Sequence, residues 1–164
     1  MTPQLHHLIG NAIEPIKKPS MIIHVCNDIG GWGRGFVLAI SQKYPKAEKQ
    51  YRDWFSNGHP SLGEVQFVQV TPETCVANMI AQHGIRWQGQ VPPIRYEALE
   101  TCLKKSYEKA LQDNLTVASP RIGCVLAGGS WDRIEAIIKK TMTVDTYVYT
   151  LEKQKNRWPT KYEN

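Results

Sequence analysis

The chain has 164 residues and a formal net charge of +5, from 20 Lys and Arg against 15 Asp and Glu. Its 41% hydrophobic and 21% charged residues are ordinary for a globular protein, which excludes a disordered tail, a coiled coil and a collagen-like fibre. The length suits one domain over residues 1–164. The basic balance favours an anionic partner, and composition alone leaves open a nucleotide, a nucleic acid or a membrane.

In chain order, the first half of the sequence predicts a buried strand, a glycine-rich loop, two helices and two further strands. Apolar runs and alternation place them at 21–26, 30–36, 36–44, 46–55, 64–70 and 75–80. The second half predicts a long loop, an amphipathic helix, a strand entering a second glycine loop, a helix and a closing strand. These lie at 84–93, 96–112, 121–126, 131–140 (with Ser130 as N-cap) and 147–151, before a polar tail at 152–164.

The sequence predicts no membrane anchor and no metal site. No apolar run approaches the roughly 20 residues that a membrane-spanning helix needs, and the start, MTPQLHHLIG, is not typical of a secretory signal. The four cysteines are scattered without a C-x-x-C pair, unlike those of a metal finger or a redox dithiol. We expect no cofactor, buried thiols at Cys26 and Cys124, and a monomer in the cytoplasm, or in the nucleus of a eukaryote.

The alternation of strands and helices is typical of an α/β sandwich with a mixed or mostly parallel sheet. Ligands of such sheets bind at the carboxyl ends of the strands, which makes the two glycine loops the leading site candidates. Their glycines let backbone N–H groups approach phosphate oxygens. The spacing is neither G-x-G-x-x-G nor that of a P-loop, and a plain strand–helix turn is the alternative.

Three side chains near the first glycine loop can either do chemistry or hold the fold. His24 and Cys26 share one face of the predicted strand, because residues two apart on a strand point the same way. A histidine there is either catalytic or a satisfied core residue. Asn27 either binds a ligand or begins a turn with Asp28.

Five segments together resemble the macro domain, an ADP-ribose-binding α/β family, over residues 9–151. They are IGNAIEP, IIHVCNDIGGWGRGF with YPKAEKQY, VANMIAQHGI, PPIRYEAL, and PRIGCVLAGGSW with YVYTL. IIHVCN, the tryptophan-bearing glycine loop and YPKAEK look most like the ADP-ribose-1″-phosphate phosphatase branch, and the ADP-ribosyl-protein hydrolase branch is similar. The resemblance implies a three-layer α/β/α sandwich around a central mixed, mostly parallel sheet.

The resemblance also implies an ADP-ribose groove. The turn Gly10, Asn11 and Ala12 would lie near the adenine, with Asn11 where the family has an acidic residue. Tyr149 either lies there too or continues an edge strand's alternation. Asn27 and the first loop would hold the distal ribose and a phosphate, and the second loop the diphosphate. The loop residues are Gly31, Trp32, Gly33, Gly35 and Phe36, and then Gly123, Cys124, Val125, Leu126, Ala127, Gly128, Gly129 and Ser130.

For catalysis, the resemblance implies His24, which matches the histidine of the phosphatase branch. Arg34 would neutralise charge on a phosphoryl group. His83 and Asp132 are weaker candidates. The family's lysine position in the protein-hydrolase branch falls near Gln82 and His83, so a mechanism that needs an amine nucleophile lacks its group here.

Further departures from the family pattern affect the second loop. The aspartate of the protein-hydrolase branch falls at Ala127, Val125 stands where glycine is usual, and Ser130 stands where a charged residue is common.

We therefore expect an enzyme that binds ADP-ribose and hydrolyses a derivative, foremost ADP-ribose 1″-phosphate. One alternative is a hydrolase of ADP-ribosylated macromolecules, either protein or nucleic acid. Another is a reader that binds ADP-ribose without turnover. A basic nucleic-acid binder using Trp32 and Trp87 is the remaining alternative, against which the scattered lysine pairs count.

Overall fold

The structure, a computed structural model, describes residues 2–164, and within them the chain forms six strands and four α-helices. In chain order these are β1 Leu5–Ile9, β2 Ser20–Asn27, α1 Phe36–Lys43, α2 Pro45–Ser56, β3 Val65–Thr71, β4 Thr74–Gln82, α3 Tyr96–Gln112, β5 Thr116–Ser119, α4 Trp131–Thr141 and β6 Thr146–Thr150. Among these described helices, none has the length and apolar character needed to cross a membrane.

The six strands form one sheet in the order β1-β6-β5-β2-β4-β3. Every neighbouring pair is parallel except β3 with β4, which is antiparallel. This confirms the predicted mixed, mostly parallel sheet. Strand β2 lies between β5 and β4, so the loop that follows β2 stands beside the loop that follows β5.

Alternate residues of β2 enter two hydrophobic cores, one on each face of the sheet. Met21 and Ile23 pack in the core that α3 and α4 cover, whereas Ile22 and Cys26 pack in the core that α1 and α2 cover. Helices on both faces make the three layers that the resemblance implied. The continuous apolar run in β2 is therefore explained by burial on both faces of the sheet, as in other parallel sheets.

The predicted strand at 121–126 is wrong. Strand β5 ends before Pro120, which has no N–H to continue a ladder. The chain then turns with positive φ at Gly123 and Val125, and residues Val125–Ala127 form a short 3-10 helix. Cys124, expected to be buried in that strand, is half-buried in this loop. An apolar run bounded by glycine is typical of a strand, but a loop that packs against the core can have the same pattern.

The polar tail predicted after residue 151 folds back onto the domain. A 3-10 helix spans Glu152–Arg157, and the last residues run beside β1, which the sequence analysis did not predict. The N–H of Glu163 donates to the carbonyl of His7 at 2.9 Å, and the Asn164 side chain exchanges two hydrogen bonds with the backbone of Ile9. The tail therefore occupies the outer edge of β1.

Candidate functional site

Five parallel strands end at one edge of the sheet, and the turns that follow them form the candidate site. These turns are Gly10–Ala12 after β1, residues 28–35 after β2, residues 83–95 after β4, and residues 120–130 after β5, with Tyr149 near the end of β6. The topology therefore brings together the segments that the sequence analysis assigned to one groove.

Asn27 organises the first glycine loop. Its side-chain carbonyl accepts hydrogen bonds from the N–H groups of Ile29 and Gly31, and its amide nitrogen donates to the carbonyl of Gly31 at 2.9 Å. The hydroxyl of Tyr51 donates to the carbonyl of Asn27 at 2.7 Å. Asn27 is buried and both ends of its amide are engaged within its own loop. In the structure, the side chain of Asn27 therefore stabilises the first glycine loop.

Trp32 turns inward from this loop and is anchored by the helices that follow. Its indole N–H donates to the hydroxyl of Ser41 at 2.5 Å, and that hydroxyl lies 2.7 Å from a carboxylate oxygen of Glu48. Arg52 donates to the other oxygen of Glu48 at 2.7 Å. Hydrogen bonds from Ser41 and Arg52 hold the pKa of Glu48 below its ordinary value. This network was missed, although Glu48 and Arg52 have the i, i+4 spacing that signals such a pair.

His24 lies beneath Trp32, with its ring centroid 5.4 Å from the indole in an edge-on arrangement. The residue is only 2% exposed, and its Nε2 is 2.5 Å from the side-chain oxygen of Asn78. Burial lowers the pKa of His24 to about 4, although the hydrogen bond with Asn78 opposes this shift. The ring is therefore neutral at pH 7 and is covered from solvent. A catalytic role for His24 stays a prediction.

The rim of the first loop carries the free hydrogen-bond donors. Within residues 2–164, the backbone N–H groups of Gly33, Arg34 and Gly35 donate to no protein acceptor. The exposed guanidinium of Arg34 forms no ion pair with any other described residue. Phe36, predicted as a ligand contact, begins α1 half-buried with its ring 6.0 Å from that of His24. Donors without partners beside an exposed cation suit an anion.

The second glycine loop is closed by its own backbone. The N–H of Gly129 donates to the carbonyl of Gly123 at 2.7 Å, and the N–H of Ile94 donates to the carbonyl of Ala127 at 3.1 Å. A Cβ on Gly123 would stand 2.9 Å from Cδ1 of Ile134, and the residue has a φ of 71°, so both packing and backbone conformation favour glycine here. The backbone N–H of Cys124 has no protein acceptor within residues 2–164.

Val125 holds a backbone conformation that its side chain disfavours. Its φ is 59°, in the left-handed region where a β-branched residue is an outlier. The side chain is 48% exposed, so burial does not compensate for the strain. The departure from the family's usual glycine is therefore accommodated at a cost, in the turn predicted to face the diphosphate.

The start of α4 differs in detail from the prediction. Ser130 takes the N-cap position, but its side chain makes no capping hydrogen bond. Its N–H donates instead to the hydroxyl of Tyr96 at 2.9 Å, which ties the second loop to α3. Asp132 lies exposed in the first turn of α4. That position suits a charge that complements the helix dipole.

The predicted adenine end of the groove is packed tightly. The ring of Tyr149 lies 3.3 Å from the position of a Cβ on Gly10, and its hydroxyl accepts a hydrogen bond from the N–H of Ile16 at 3.0 Å. The side-chain oxygen of Asn11 accepts from the N–H of Ile13 at 3.2 Å. An amide oxygen has a second lone pair, which leaves Asn11 one acceptor position for a ligand. Ala12 is buried in the core.

Two side-chain contacts connect the loops around the groove. Cδ1 of Leu126 lies 2.9 Å from the position of a Cβ on Gly35, which joins the two glycine loops. The Trp87 ring lies 2.6 Å from the position of a Cβ on Gly128, although the residue remains 53% exposed. The loop at 83–95 therefore contributes an aromatic wall that the sequence analysis did not assign to the groove.

A histidine–carboxylate pair lies at the ends of β2 and β4. Nδ1 of His83 is 2.7 Å from one oxygen of Asp28, and the N–H of Gly84 donates to the other at 2.7 Å. From the sequence alone, His83 is only a weaker catalytic candidate and Asp28 only begins a turn with Asn27. A carboxylate at the carboxyl end of a central strand was the available signal.

Comparisons with known proteins agree with this geometry. Residues 23–138 match the family described as Macro domain. The chain is 26% identical to an ADP-ribose 1″-phosphate phosphatase of Lodderomyces elongisporus over 145 residues, covering 84% of this chain and 91% of that protein.

Solved structures share the fold of this chain. A protein of unknown function from Bacteroides thetaiotaomicron is 44% identical, with a TM-score of 0.87 over 92% of this chain and 100% of that one. A macrodomain protein from Streptomyces coelicolor is 42% identical, with a TM-score of 0.79 over 89% and 98% of the two chains.

Proposed function

This chain belongs to the macro domain family, and we propose that it binds ADP-ribose between the two glycine loops and hydrolyses ADP-ribose 1″-phosphate to ADP-ribose and phosphate. The observation that carries the proposal is the juxtaposition of the loops at Gly35 and Leu126, with backbone donors on the first loop that have no acceptor among the described residues. The relative from Lodderomyces elongisporus, named for this phosphatase activity, supports it along most of its length.

Binding is proposed to rest on backbone groups more than on charged side chains. The free N–H groups of Gly33, Gly35 and Cys124 suit phosphate oxygens, since oriented amides bind anions without ordering a long side chain. Asn11 and Tyr149 would receive the adenine, and the net charge of +5 favours approach of the anion.

Arg34 is proposed to neutralise the terminal phosphate. Its guanidinium is exposed on the first loop and has no ion-pair partner within residues 2–164, so no existing bond must break when a phosphate arrives. A charge-assisted, two-pronged contact would also stabilise the charge that shifts during phosphoryl transfer. His24 would act from beneath Trp32, by holding the indole and the loop in place.

A second candidate substrate is ADP-ribose attached to a macromolecule. The exposed side chains of Ile85, Trp87 and Val91 form an apolar rim on the loop after β4, and Trp87 adjoins the second glycine loop. An apolar rim beside a nucleotide groove suits a ligand whose distal end continues into a larger molecule.

The test compares binding and turnover in one preparation. Calorimetry with ADP-ribose, and with ADP as the truncated ligand, measures binding, while phosphate release from ADP-ribose 1″-phosphate measures turnover. Arg34→Ala is expected to lower kcat/KM about 100-fold. Lys161→Ala, at an exposed lysine that forms no ion pair with the other described residues, serves as the control. Binding without phosphate release, while an ADP-ribosylated peptide or DNA is hydrolysed, would favour the second candidate. Binding without any hydrolysis would identify a reader.

A further inference from the structure

His83 and Asp28 form a pair whose geometry is that of an oriented base. The imidazole Nδ1 is 2.7 Å from one carboxylate oxygen, with the side chain of His83 47% exposed and that of Asp28 15% exposed. The aspartate is thus mostly covered, while half of the histidine side chain faces solvent. His24, in contrast, is buried on all sides.

Asp28 fixes the tautomer of His83. Hydrogen bonds from the Gly84 N–H and from His83 outweigh the effect of partial burial and hold the pKa of Asp28 below its ordinary value, so the group is ionised at pH 7. An ionised carboxylate only accepts hydrogen bonds, and Nδ1 must therefore carry the proton. The lone pair of the neutral ring is then on Nε2.

The pair is rigidly attached to the groove. The N–H of Asp28 donates to the carbonyl of Gln82 at 3.0 Å, and the N–H of His83 donates to the carbonyl of Pro93 at 2.8 Å. Asp28 directly follows Asn27, whose side chain holds Gly31. Both partners therefore stand at the carboxyl ends of β2 and β4, beside the loop that carries Arg34.

An isolated surface ion pair contributes little to stability. A carboxylate aimed at Nδ1 has a different use, because it orients the ring and stabilises the cation formed when Nε2 accepts a proton. A basic nitrogen held at the predicted distal-ribose end of the groove has the chemistry to activate water.

We propose that His83 is the general base of the hydrolysis proposed above, on which this inference rests, and that Asp28 is its positioning residue. Nε2 accepts a proton from water as the water oxygen bonds to phosphorus. The bond between phosphorus and the oxygen on C1″ of the ribose breaks, and its electron pair stays on that oxygen. The proton held on Nε2 then passes to the same oxygen, which yields ADP-ribose and inorganic phosphate.

Two variants test the assignment, and the first has a matched control. His83→Ala is expected to lower kcat for ADP-ribose 1″-phosphate about 100- to 1,000-fold, with the Kd for ADP-ribose within about twofold of the wild type. Added imidazole is expected to restore part of kcat in His83→Ala, which a purely structural role would not allow. His59→Ala, at an exposed histidine, is expected to leave kcat unchanged.

Asp28→Asn separates positioning from folding. The asparagine oxygen can still accept the Gly84 N–H, but its NH₂ group donates to Nδ1 and moves the imidazole proton to Nε2. The expected result is a loss in kcat of about 100-fold with KM nearly unchanged, and a swap of the Nδ1 and Nε2 signals of His83 in nitrogen NMR.

The outcomes separate the two proposals. Undiminished kcat in His83→Ala, with an active wild type, overturns the role of His83 and leaves the proposed function standing. The same loss in His83→Ala with no rescue by imidazole also counts against a base. A wild type that binds ADP-ribose but releases no phosphate overturns the proposed phosphatase activity and the role of His83 with it.

Discussion

Leu126 of the second glycine loop packs against Gly35 of the first, with Cδ1 2.9 Å from the position that a Cβ on residue 35 would take. Gly35 also has a φ of 81°, which side-chain-bearing residues rarely adopt. The contact joins loops that follow neighbouring strands β2 and β5. A side chain at residue 35 would displace the Leu126 side chain from this contact and would also strain the backbone.

Gly35→Ala is therefore expected to destabilise the fold by about 1–2 kcal/mol, from the left-handed backbone and the clash with Leu126. Affinity for ADP-ribose is expected to fall about tenfold, equivalent to about 1.4 kcal/mol, because the strained first loop and the displaced Leu126 side chain alter the groove between the loops. Gly89→Ala is the matched control, since Gly89 also has a positive φ, of 63°, but a Cβ there has no neighbour within 4 Å. Urea unfolding and calorimetry measure both effects, and equal behaviour of the two variants would contradict the role given to the loop contact.

His24 is expected to make stability depend on pH. Its pKa is about 4 in the folded chain, lowered by burial, against about 6.5 in an unfolded chain. Between these values the unfolded state binds a proton that the folded state does not, so stability falls as the pH drops from about 6.5 to 4. The slope from this group is at most about 1.4 kcal/mol per pH unit, and it vanishes above pH 6.5.

His24→Gln removes this titration while keeping a polar side chain next to Asn78. The variant is expected to show a shallower loss of stability between pH 6.5 and 4.5 in urea unfolding, although His7, whose pKa burial also lowers, keeps some of the slope. His59→Gln, at an exposed position, controls for removal of a histidine. An unchanged slope in His24→Gln would mean that the buried ring does not titrate as inferred.

Val125→Gly is expected to stabilise the protein by about 1 kcal/mol. The strain of a non-glycine residue at positive φ costs about 1–3 kcal/mol, and the added freedom of glycine in the unfolded chain offsets about 0.5–1 kcal/mol of that gain. Asn114→Gly is the control, since Asn114 has a φ of 57° but asparagine tolerates this region. Unfolding midpoints in urea distinguish the two, and a destabilised Val125→Gly would refute the strain.

Helices and strands with a strong hydrophobic periodicity were predictable from the sequence. Strands that are held in place by neighbours distant in the chain were not. Helix α3 matches its predicted bounds because Leu99, Leu103 and Tyr107 repeat on one buried face. Strand β1 has only Leu8 buried, so its sequence lacks an apolar pattern. Strand β5 has four residues, and the apolar run after Pro120 concealed it.

The site was predictable as a set of loops but not as a set of side-chain roles. The glycines of both loops stand at the sheet edge where topology required them. The burial of His24 and the engagement of both ends of the Asn27 amide depend on Trp32 and Tyr51, which come from elsewhere in the chain. Likewise, the pairing of Asp28 with His83 joins residues that are 55 positions apart.

The folded tail has a consequence for self-association. An uncovered outer edge of β1 would present backbone amides and carbonyls to which a strand of another molecule can add, the first step of edge-to-edge aggregation. Here Glu163 and Asn164 already occupy the backbone groups of His7 and Ile9. The last residues thus block the addition of a further strand at this edge. A chain shortened before residue 160 would expose the unpaired backbone of β1 and would also lose the hydrogen bonds that Thr160 and Tyr162 accept from Arg121, at the start of the second glycine loop.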